Sequence, residues 1–333
     1  MTRVLGVTLI AIVCWIAASP RLEAYLKLGT QSGTQLISLH WTTFPVRYFI
    51  TNRDIPNVSA AQLRDAVGRA FASWDAIPNT GLSSQFVGFT SASPLDDDSI
   101  NVLGFLNRPD LDRVLGSTSF TFDVISGQII EADIFFNSSF AWSVAQDGTS
   151  GAFDLESIAA HEIGHLHGLG HSALGETELR AGGRRVLGAE ALMFPIAFSP
   201  GSTNFRTPRA DDIAGISDIY GNDTFRRSTG SITGRVTKNG SGVMGAHIVA
   251  FNPTTGKLVG GFSLSNDGTF VIAGLDPGRY IVRAEPLDDA DLDSFFPPSV
   301  NVDVNFTAAY YERLVIVPRG GTAPSVAVKV VPK

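Results

Sequence analysis

Residues 161–171 read HEIGHLHGLGH and contain four of the six histidines in this 333-residue chain. His161 and His165 are four residues apart, so on a helix their side chains lie one turn apart on the same face. Two imidazoles in that arrangement can bind one zinc ion, Zn²⁺. Gly168 can adopt the left-handed conformation that ends a helix, which lets the chain return His171 as a third ligand. Three protein ligands leave one position open for water, as in catalytic zinc sites.

Two further residues of this segment have different predicted roles. Glu162 follows the first ligand directly, where its carboxylate can reach a water at the open position and act as a general base without binding the metal. His167 points away from the ligand face, so we predict that it is not a ligand. The alternative is a chance cluster of histidines on an amphipathic helix. The added requirement for Gly168 and His171 makes that coincidence far rarer than the short HExxH pattern alone.

The composition limits the chemistry that the rest of the chain can supply. The chain is 44% hydrophobic, carries a net charge of −7 and has one cysteine. Its length suggests two domains with packed cores, and its acidic balance argues against nucleic acid as a partner, because that partner requires basic surfaces. One cysteine closes no intrachain disulfide and builds no cysteine-based zinc site. Any metal must therefore be held by histidine or carboxylate side chains.

Residues 1–24 have the pattern of a secretory signal peptide. Arg3 precedes an uncharged apolar run from Val4 to Ala18, and a predicted cleavage site ends at Ala24. The alternative is an uncleaved membrane anchor, but about 15 residues are fewer than the roughly 20 that cross a bilayer. We therefore expect a secreted protein, extracellular or periplasmic, with no membrane span in its mature chain.

The chain up to residue 221 has the mixed pattern of an α+β domain. The first helix is predicted to start at Ser59, where Gln62 completes a capping box. The second starts near Asp154 and contains the histidine motif, and the third starts at Thr207-Pro208. The strands predicted from β-branched and aromatic runs are 46–50, 100–105, 117–122 and 129–136.

After residue 231 the pattern changes to short alternating strands separated by turn residues at intervals of roughly 8–12, with no helical period. This pattern predicts an all-β sandwich domain. The polar segment before it lacks periodicity and is predicted to be a linker. The predicted divisions are a signal peptide (1–24), a short leader (25–44), a catalytic domain (45–221), a linker (222–230) and a β-sandwich (231–333).

The histidine motif and its surroundings resemble the metzincin metalloproteases, whose extended motif is HExxHxxGxxH followed by a methionine-containing turn. The matching turn is ALMFP at residues 191–195, and in the family its methionine, here Met193, forms an apolar floor under the three imidazoles. Within the metzincins the chain is most similar to the matrixins. The matrixin-like stretches are 131–134, Trp142, 161–172, 191–195 and 211–221. The connection from His171 to Met193 is longer than usual for matrixins, which predicts a surface insertion.

The resemblance implies a metzincin-type catalytic domain, with a twisted mixed sheet and about three helices, that acts as a secreted zinc metalloendopeptidase. The implied zinc ligands are His161, His165 and His171, and the implied general base is Glu162. The resemblance also makes a structural calcium ion, Ca²⁺, a second candidate cofactor, with Asp133 as one candidate ligand. Protein or peptide substrates would lie extended along the strand near residues 115–120.

Residues 231–333 resemble the prealbumin-like β-sandwich that occurs as a regulatory-like domain in carboxypeptidases. The matching residues are 232–236, 268–270 and 274–280. Two roles stay open for this domain: a folding or spacing module, or a binding module for a substrate, surface or matrix partner. For the whole chain, the alternative to an enzyme is a non-catalytic secreted binding or adhesion protein with a vestigial metal site. The intact ligand set and Glu162 argue against that alternative.

Overall fold

The computed structural model describes residues 26–32, 35–181 and 183–333. The predicted signal peptide lies outside these residues and stays a prediction. Two short strands, β1 (Gly29–Ser32) and β2 (Gln35–Ser38), form an antiparallel hairpin near the start of the described chain. Within the described residues, every helix is too short or too polar to span a bilayer.

A five-stranded mixed sheet forms the centre of the N-terminal region, which we define as residues 26–221. Its strands are β3 (Val46–Thr51), β4 (Ser84–Thr90), β5 (Asn101–Leu106), β6 (Gly116–Phe122) and β7 (Ile129–Asn137). They lie in the order β4-β3-β5-β7-β6, with all neighbours parallel except β6, which is antiparallel to β7. The four predicted strands are confirmed to within one residue at each end. Because β6 is an edge strand, one side of its backbone has no neighbouring strand among the described residues.

Two helices carry the core of this region. Helix α1 (Ala60–Asp75) begins with the predicted capping box, in which Ser59 and Gln62 exchange side-chain to backbone hydrogen bonds of 3.3 and 2.9 Å. Helix α2 (Leu155–Leu166) begins after Asp154, whose carboxylate accepts the Ser157 N–H. The two helices are joined where the Trp74 indole N–H donates to the Ala160 carbonyl at 2.9 Å.

The third helix begins later than predicted. Helix α3 spans Ala210–Tyr220 and has Arg209 at its N-cap, so the predicted start at Thr207-Pro208 was wrong. The reason is the Asp212 carboxylate, which accepts the Arg209 N–H at 2.7 Å and closes the first turn there. A fourth, short helix, α4 (Asp223–Ser228), lies inside the segment predicted to be a linker.

The remaining strands of the N-terminal region are short. Strands β8 (Trp142–Ser143) and β9 (Phe153–Asp154) pair in parallel just before α2. The long connection between His171 and Met193 forms an antiparallel hairpin of β10 (Gly175–Arg180) and β11 (Gly183–Ala189). The exposed side chains of Leu179 and Leu187 lie on this hairpin.

Residues 230–333, here called the C-terminal β-region, form two sheets that share one hydrophobic core. The strands of the first sheet are β12 (Gly230–Lys238), β13 (Ser241–Gly242), β16 (Thr269–Leu275) and β20 (Val326–Val330). Those of the second are β14 (His247–Phe251), β15 (Leu258–Phe262), β17 (Gly278–Glu285), β18 (Ala309–Tyr310) and β19 (Val315–Val317). Ile232 and Phe270 from the first sheet and Ile248 and Val282 from the second belong to the same buried cluster.

Candidate metal centre

Helix α2 and the turn after it bring three histidines together. His161 and His165 lie one turn apart on α2, as predicted. Gly168 has φ of +94°, and a Cβ at this position would lie 2.3 Å from the Leu39 carbonyl oxygen, so both the backbone conformation and the close contact require glycine. The chain turns here and returns His171 to the other two.

The ring nitrogens of these histidines converge on one point. One ligand atom from each of His161, His165 and His171 lies within 4.8 Å of the other two. The ring centroids are 4.7 to 5.4 Å apart. Among the residues that the structure describes, no other group of three histidine, cysteine or acidic side chains meets this geometric condition. These three side chains could therefore hold one metal ion.

Each imidazole is oriented by a backbone carbonyl. The Nδ1 atoms of His161, His165 and His171 lie 2.9, 2.8 and 2.7 Å from the carbonyl oxygens of Leu192, Leu169 and Ser294, in that order. A carbonyl oxygen can only accept, so each Nδ1 carries the proton and donates it. Each Nε2 is then left with its lone pair, which is the tautomer that binds a metal.

The charge state of the three rings also fits a cation. Burial lowers the pKa of all three histidines, and it lowers the pKa of His171 to about 3 with a further contribution from His161. The rings are therefore neutral at pH 7. The Nε2 atoms of His165 and His171 are 3.2 Å apart, and in this tautomer neither can donate to the other. Two lone pairs at that distance fit a positive ion between them, and three neutral imidazoles are a preferred zinc donor set.

Glu162 lies beside the histidines, buried and held by one hydroxyl. The Thr118 Oγ1–H lies 2.8 Å from Oε2 of Glu162 and 3.0 Å from its backbone carbonyl. Burial raises the pKa of the Glu162 carboxyl to about 7, against the lowering effect of the Thr118 hydrogen bond. A Cβ on Gly116 of the edge strand β6 would lie 3.1 Å from Oε1 of Glu162. The carboxyl group therefore lies against the strand that borders the open side of the sheet.

The predicted methionine turn packs against the helix between its two histidines. A Cβ at Gly164 would lie 2.3 Å from the Met193 sulfur, so only glycine allows this close approach. The turn is fixed by Asp212, whose carboxylate accepts the Leu192 and Met193 N–H groups at 2.7 and 3.0 Å. The Leu192 carbonyl is also the acceptor for His161, so Asp212 fixes the orientation of that imidazole through the turn.

His167 lies away from the other three histidines, in agreement with its predicted exclusion. Its ring is fully buried among Phe71, Trp74 and Tyr220, at centroid distances of 6.2 to 6.3 Å. Burial lowers its pKa to about 3. Within the described chain, neither ring nitrogen has a hydrogen-bond partner.

The calcium candidate Asp133 has a different set of contacts. Its two carboxylate oxygens accept the N–H groups of Leu95 and Val102, each at 2.7 Å. Burial raises the pKa of Asp133 to about 7, and Glu131 adds to the rise. The carboxylate thus ties strand β5 and the loop before it to strand β7, and a calcium site there stays a prediction.

Several residues of the centre carried no functional signal in the sequence. Side chains along a strand point alternately to the two faces of the sheet, so the sequence predicts which face Thr118 occupies. It does not predict that Glu162 lies against that face. Leu192, Leu169 and Ser294 act through backbone carbonyls, which every residue has. The spacing of Asp212 from the turn that it holds is 19 residues or more, too far for a local pattern.

Comparisons with known proteins find similarity in the N-terminal region. A family model described as Matrixin matches residues 40–221, just over half of the chain. Metalloendoproteinase 1 of Glycine max is 31% identical over 163 residues, which cover 47% of this chain and 45% of that protein. Metalloendoproteinase 2-MMP of Arabidopsis thaliana is 29% identical over 191 residues, which cover 53% of this chain and 42% of that protein.

A further similarity is to an animal protein. Neutrophil collagenase of Homo sapiens is 30% identical over 186 residues, 54% of this chain and 33% of that protein. In each of these three relatives the match spans less than half of their length. A solved structure, the Bacillus anthracis TIE protein, is 16% identical over 32% of this chain and 17% of its own, with a TM-score of 0.22, too low to support a conclusion about the fold.

Proposed function

The chain belongs to the matrixin family, and from that premise we propose that it is a secreted zinc-dependent endopeptidase that hydrolyses peptide bonds of proteins. The observation that carries this proposal is the convergence of three neutral imidazoles with their Nε2 lone pairs directed at one point. In the proposal His161, His165 and His171 are the zinc ligands. When bound, the zinc ion supplies Lewis acidity to the scissile carbonyl and to the attacking water.

Glu162 is the proposed general base. Its carboxyl follows the first ligand in the chain, is buried, and has a pKa raised by burial to about 7, so near neutral pH it can both take up and release a proton. It would take the proton of the attacking water and then deliver that proton to the leaving amine. The Thr118 hydroxyl, 2.8 Å from Oε2, keeps the carboxyl in place during both transfers.

The proposed substrate is an extended peptide that pairs with the free edge of β6. Main-chain hydrogen bonds along an exposed strand edge bind peptides with little demand on their sequence. Gly116 lies at the start of this strand and beside Glu162, so a peptide on this edge would pass close to the base. The absence of a side chain at Gly116 leaves that approach open.

The finer divisions of the chain are also proposals. Residues 1–24 are proposed to be a cleaved signal peptide, 45–221 the catalytic domain, and 231–333 a prealbumin-like sandwich joined through 222–230. The shared core of the two sheets supports the sandwich. A structural calcium ion near Asp133 and a surface or matrix partner of the C-terminal β-region stay as further hypotheses.

Two matched substitutions on helix α2 test the proposed chemistry. Glu162→Gln keeps the zinc ligands but removes the base, so we expect one zinc per chain and a fall in casein turnover of about 10²–10⁴-fold. Glu156→Gln, on the same helix, breaks the 2.6 Å ion pair with Arg69 instead and should keep both zinc and turnover. Zinc content and casein cleavage are measured on both. Near wild-type turnover in Glu162→Gln would exclude the general-base role.

The same assay distinguishes the alternative, a secreted binding protein with a vestigial metal site. An enzyme should lose casein cleavage on treatment with a chelator and recover it with added zinc. A wild-type protein that holds zinc but cleaves neither casein nor gelatin would favour the alternative.

A further inference from the structure

The three zinc-facing histidines obtain their backbone acceptors from different parts of the molecule. The acceptors of His161 and His165, Leu192 and Leu169, lie in the N-terminal region. The acceptor of His171 is the carbonyl of Ser294, which lies 123 residues later in the C-terminal β-region, and its 2.7 Å distance is the shortest of the three. One of the three imidazoles is therefore oriented by the second half of the chain.

The segment that presents this carbonyl is anchored within the C-terminal β-region. Ser294 is the last residue of a short 3-10 helix, Leu292–Ser294, after which the Phe295 and Phe296 N–H groups both donate to the Leu292 carbonyl. The two phenylalanine rings are buried and lie 5.8 and 5.7 Å from the ring of Phe262. Packing of this kind fixes a short segment because moving it would expose both rings to water.

The same segment is also anchored by the N-terminal region. The Thr177 N–H donates to the Asp289 carboxylate at 2.8 Å, and its hydroxyl donates to the Asp289 carbonyl at 2.7 Å. Arg184 donates to the Asp288 carbonyl at 2.8 Å. Thr177 and Arg184 belong to the β10–β11 hairpin, which follows His171 directly in the chain.

An apolar cluster closes the remaining side of the contact. Ala173, two residues after His171, lies in one buried cluster with Phe295 and Phe296. The contact between His171 and Ser294 is thus flanked by polar bonds on the hairpin side and by apolar packing on the other. Neither region can move relative to the other at this point without disturbing the ring of His171.

We propose that the C-terminal β-region is part of the metal centre: its Ser294 carbonyl is the positioning group for His171, and Phe295 holds that carbonyl in place. The proposal rests on the zinc ligation proposed above. A fixed acceptor at Nδ1 sets the tautomer and the plane of the imidazole, and loss of such a partner typically lowers metal affinity about 10–100-fold. The otherwise chemically silent region would then control how tightly zinc is bound.

This arrangement also links zinc binding to the contact between the two regions. If the docked segment raises the affinity for zinc, bound zinc must stabilise the docked segment by the same factor. The linkage needs no residue of the C-terminal β-region to touch the metal. It requires only that His171 be oriented better with Ser294 in place than without it.

The first test measures the zinc dissociation constant of the full-length protein by competition with a chelator. Phe295→Ala should weaken zinc binding about 10–100-fold, and Phe295→Leu, which refills most of the buried volume, should restore most of the affinity. Phe270→Ala is the matched control, because Phe270 is equally buried but belongs to the core between the two sheets. It should lower stability and leave the zinc dissociation constant unchanged.

A backbone substitution tests the acceptor itself without emptying the core. The α-hydroxy analogue of phenylalanine at position 295 turns the Ser294 carbonyl into an ester carbonyl, a weaker acceptor, and deletes the 295 N–H. The same analogue at position 296 is the control, since it deletes an N–H that donates to the same Leu292 carbonyl. The substitution at 295 should weaken zinc binding about 3–10-fold, and the one at 296 should not.

The NMR signals of the three imidazole N–H protons in the zinc-loaded protein separate positioning from a general structural role. The ester at 295 should shift the His171 Nδ1–H signal and leave those of His161 and His165 in place. Unchanged zinc affinity and an unchanged His171 signal in this variant would overturn the role of Ser294 and leave the proposed ligand set intact. A wild-type chain that binds no zinc would instead overturn the proposed ligand set, and the inference with it.

Discussion

The N-terminal region and the C-terminal β-region differ in what they bury. Of the ten acidic and histidine side chains buried in the described chain, nine lie in the N-terminal region, and His247 is the one in the C-terminal β-region. Burial of a titratable group costs free energy unless hydrogen bonds or a partner charge offset it. The N-terminal region therefore carries a desolvation cost that an apolar core of the same size would avoid, and the metal centre accounts for several of these groups.

The two regions nevertheless meet beside polar groups of the N-terminal region. The Gly260 N–H of the C-terminal β-region donates to the buried Asp211 carboxylate at 2.7 Å, and the Ser294 carbonyl accepts from His171. Both contacts from the C-terminal side use backbone atoms. One region can thus hold the geometry of a site in another region through its backbone atoms.

The largest expected difference concerns the buried histidines of the two regions. His165→Ala removes the central ligand, so we expect zinc content to fall from about one per chain to nearly none and casein cleavage to be lost with it. His247→Ala removes a histidine that is equally buried but pairs with Glu285 at 2.9 Å. It should lower stability and leave zinc content unchanged. Loss of zinc from both variants would show that the buried histidine of the C-terminal β-region is also needed for zinc binding.

A pH-dependent effect of intermediate size is expected where the regions meet, at Asp211. Burial, and next the neighbouring Asp212, raises its pKa from 3.8 to about 7. Between about pH 4 and pH 7, this carboxyl is therefore protonated in the folded state and ionised in the unfolded state. Because the folded state binds the extra proton, the free energy of unfolding falls as the pH rises through that range. Asp211→Asn keeps an oxygen for the Gly260 N–H but removes the titration.

The measurement is the difference in free energy of unfolding between Asp211→Asn and the wild type, from denaturant titrations at several pH values. The free energy of unfolding of the variant, relative to the wild type, should rise by about 2–4 kcal/mol from pH 4 to pH 7. This figure follows from about 1.4 kcal/mol for each pKa unit. A difference that stays constant with pH would show that the pKa of Asp211 is not raised in the folded state.

The smallest expected effect tests whether every buried polar group of the N-terminal region serves the metal centre. His167 has two buried ring nitrogens without partners in the described chain, so His167→Leu should raise the free energy of unfolding by about 1–3 kcal/mol at neutral pH and leave zinc content unchanged. Tryptophan fluorescence suits this measurement, because residues 230–333 contain no tryptophan. Equal or lower stability would mean that the nitrogens have partners.

The features predicted correctly from the sequence have local causes. The ligand spacing in residues 161–171 is fixed by the helical period, and the capping box at Ser59 and Gln62 needs three consecutive peptide units. The start of α3 was predicted wrongly because its cap is set by Asp212, a residue whose carboxylate also holds the distant Leu192 N–H. Local sequence patterns do not identify a group whose hydrogen-bond partners lie in another part of the chain.

The proposed contribution of the C-terminal β-region to the metal centre could not be predicted for the same reason. Ser294 acts through its backbone carbonyl, which every residue has, so its side chain carries no signal of this role. The contact exists because Phe295 and Phe296 pack against Phe262 and Ala173, which are far apart in the chain. Only the packed structure brings these residues together.

Metal content and turnover, measured on one preparation of the protein, test whether His161, His165 and His171 hold a catalytic zinc ion. We expect about one zinc per chain, loss of casein cleavage on chelation, and recovery in proportion to added zinc up to one equivalent. A fully zinc-loaded chain that cleaves no casein, or cleavage that persists after all zinc is removed, would exclude a catalytic role for the zinc.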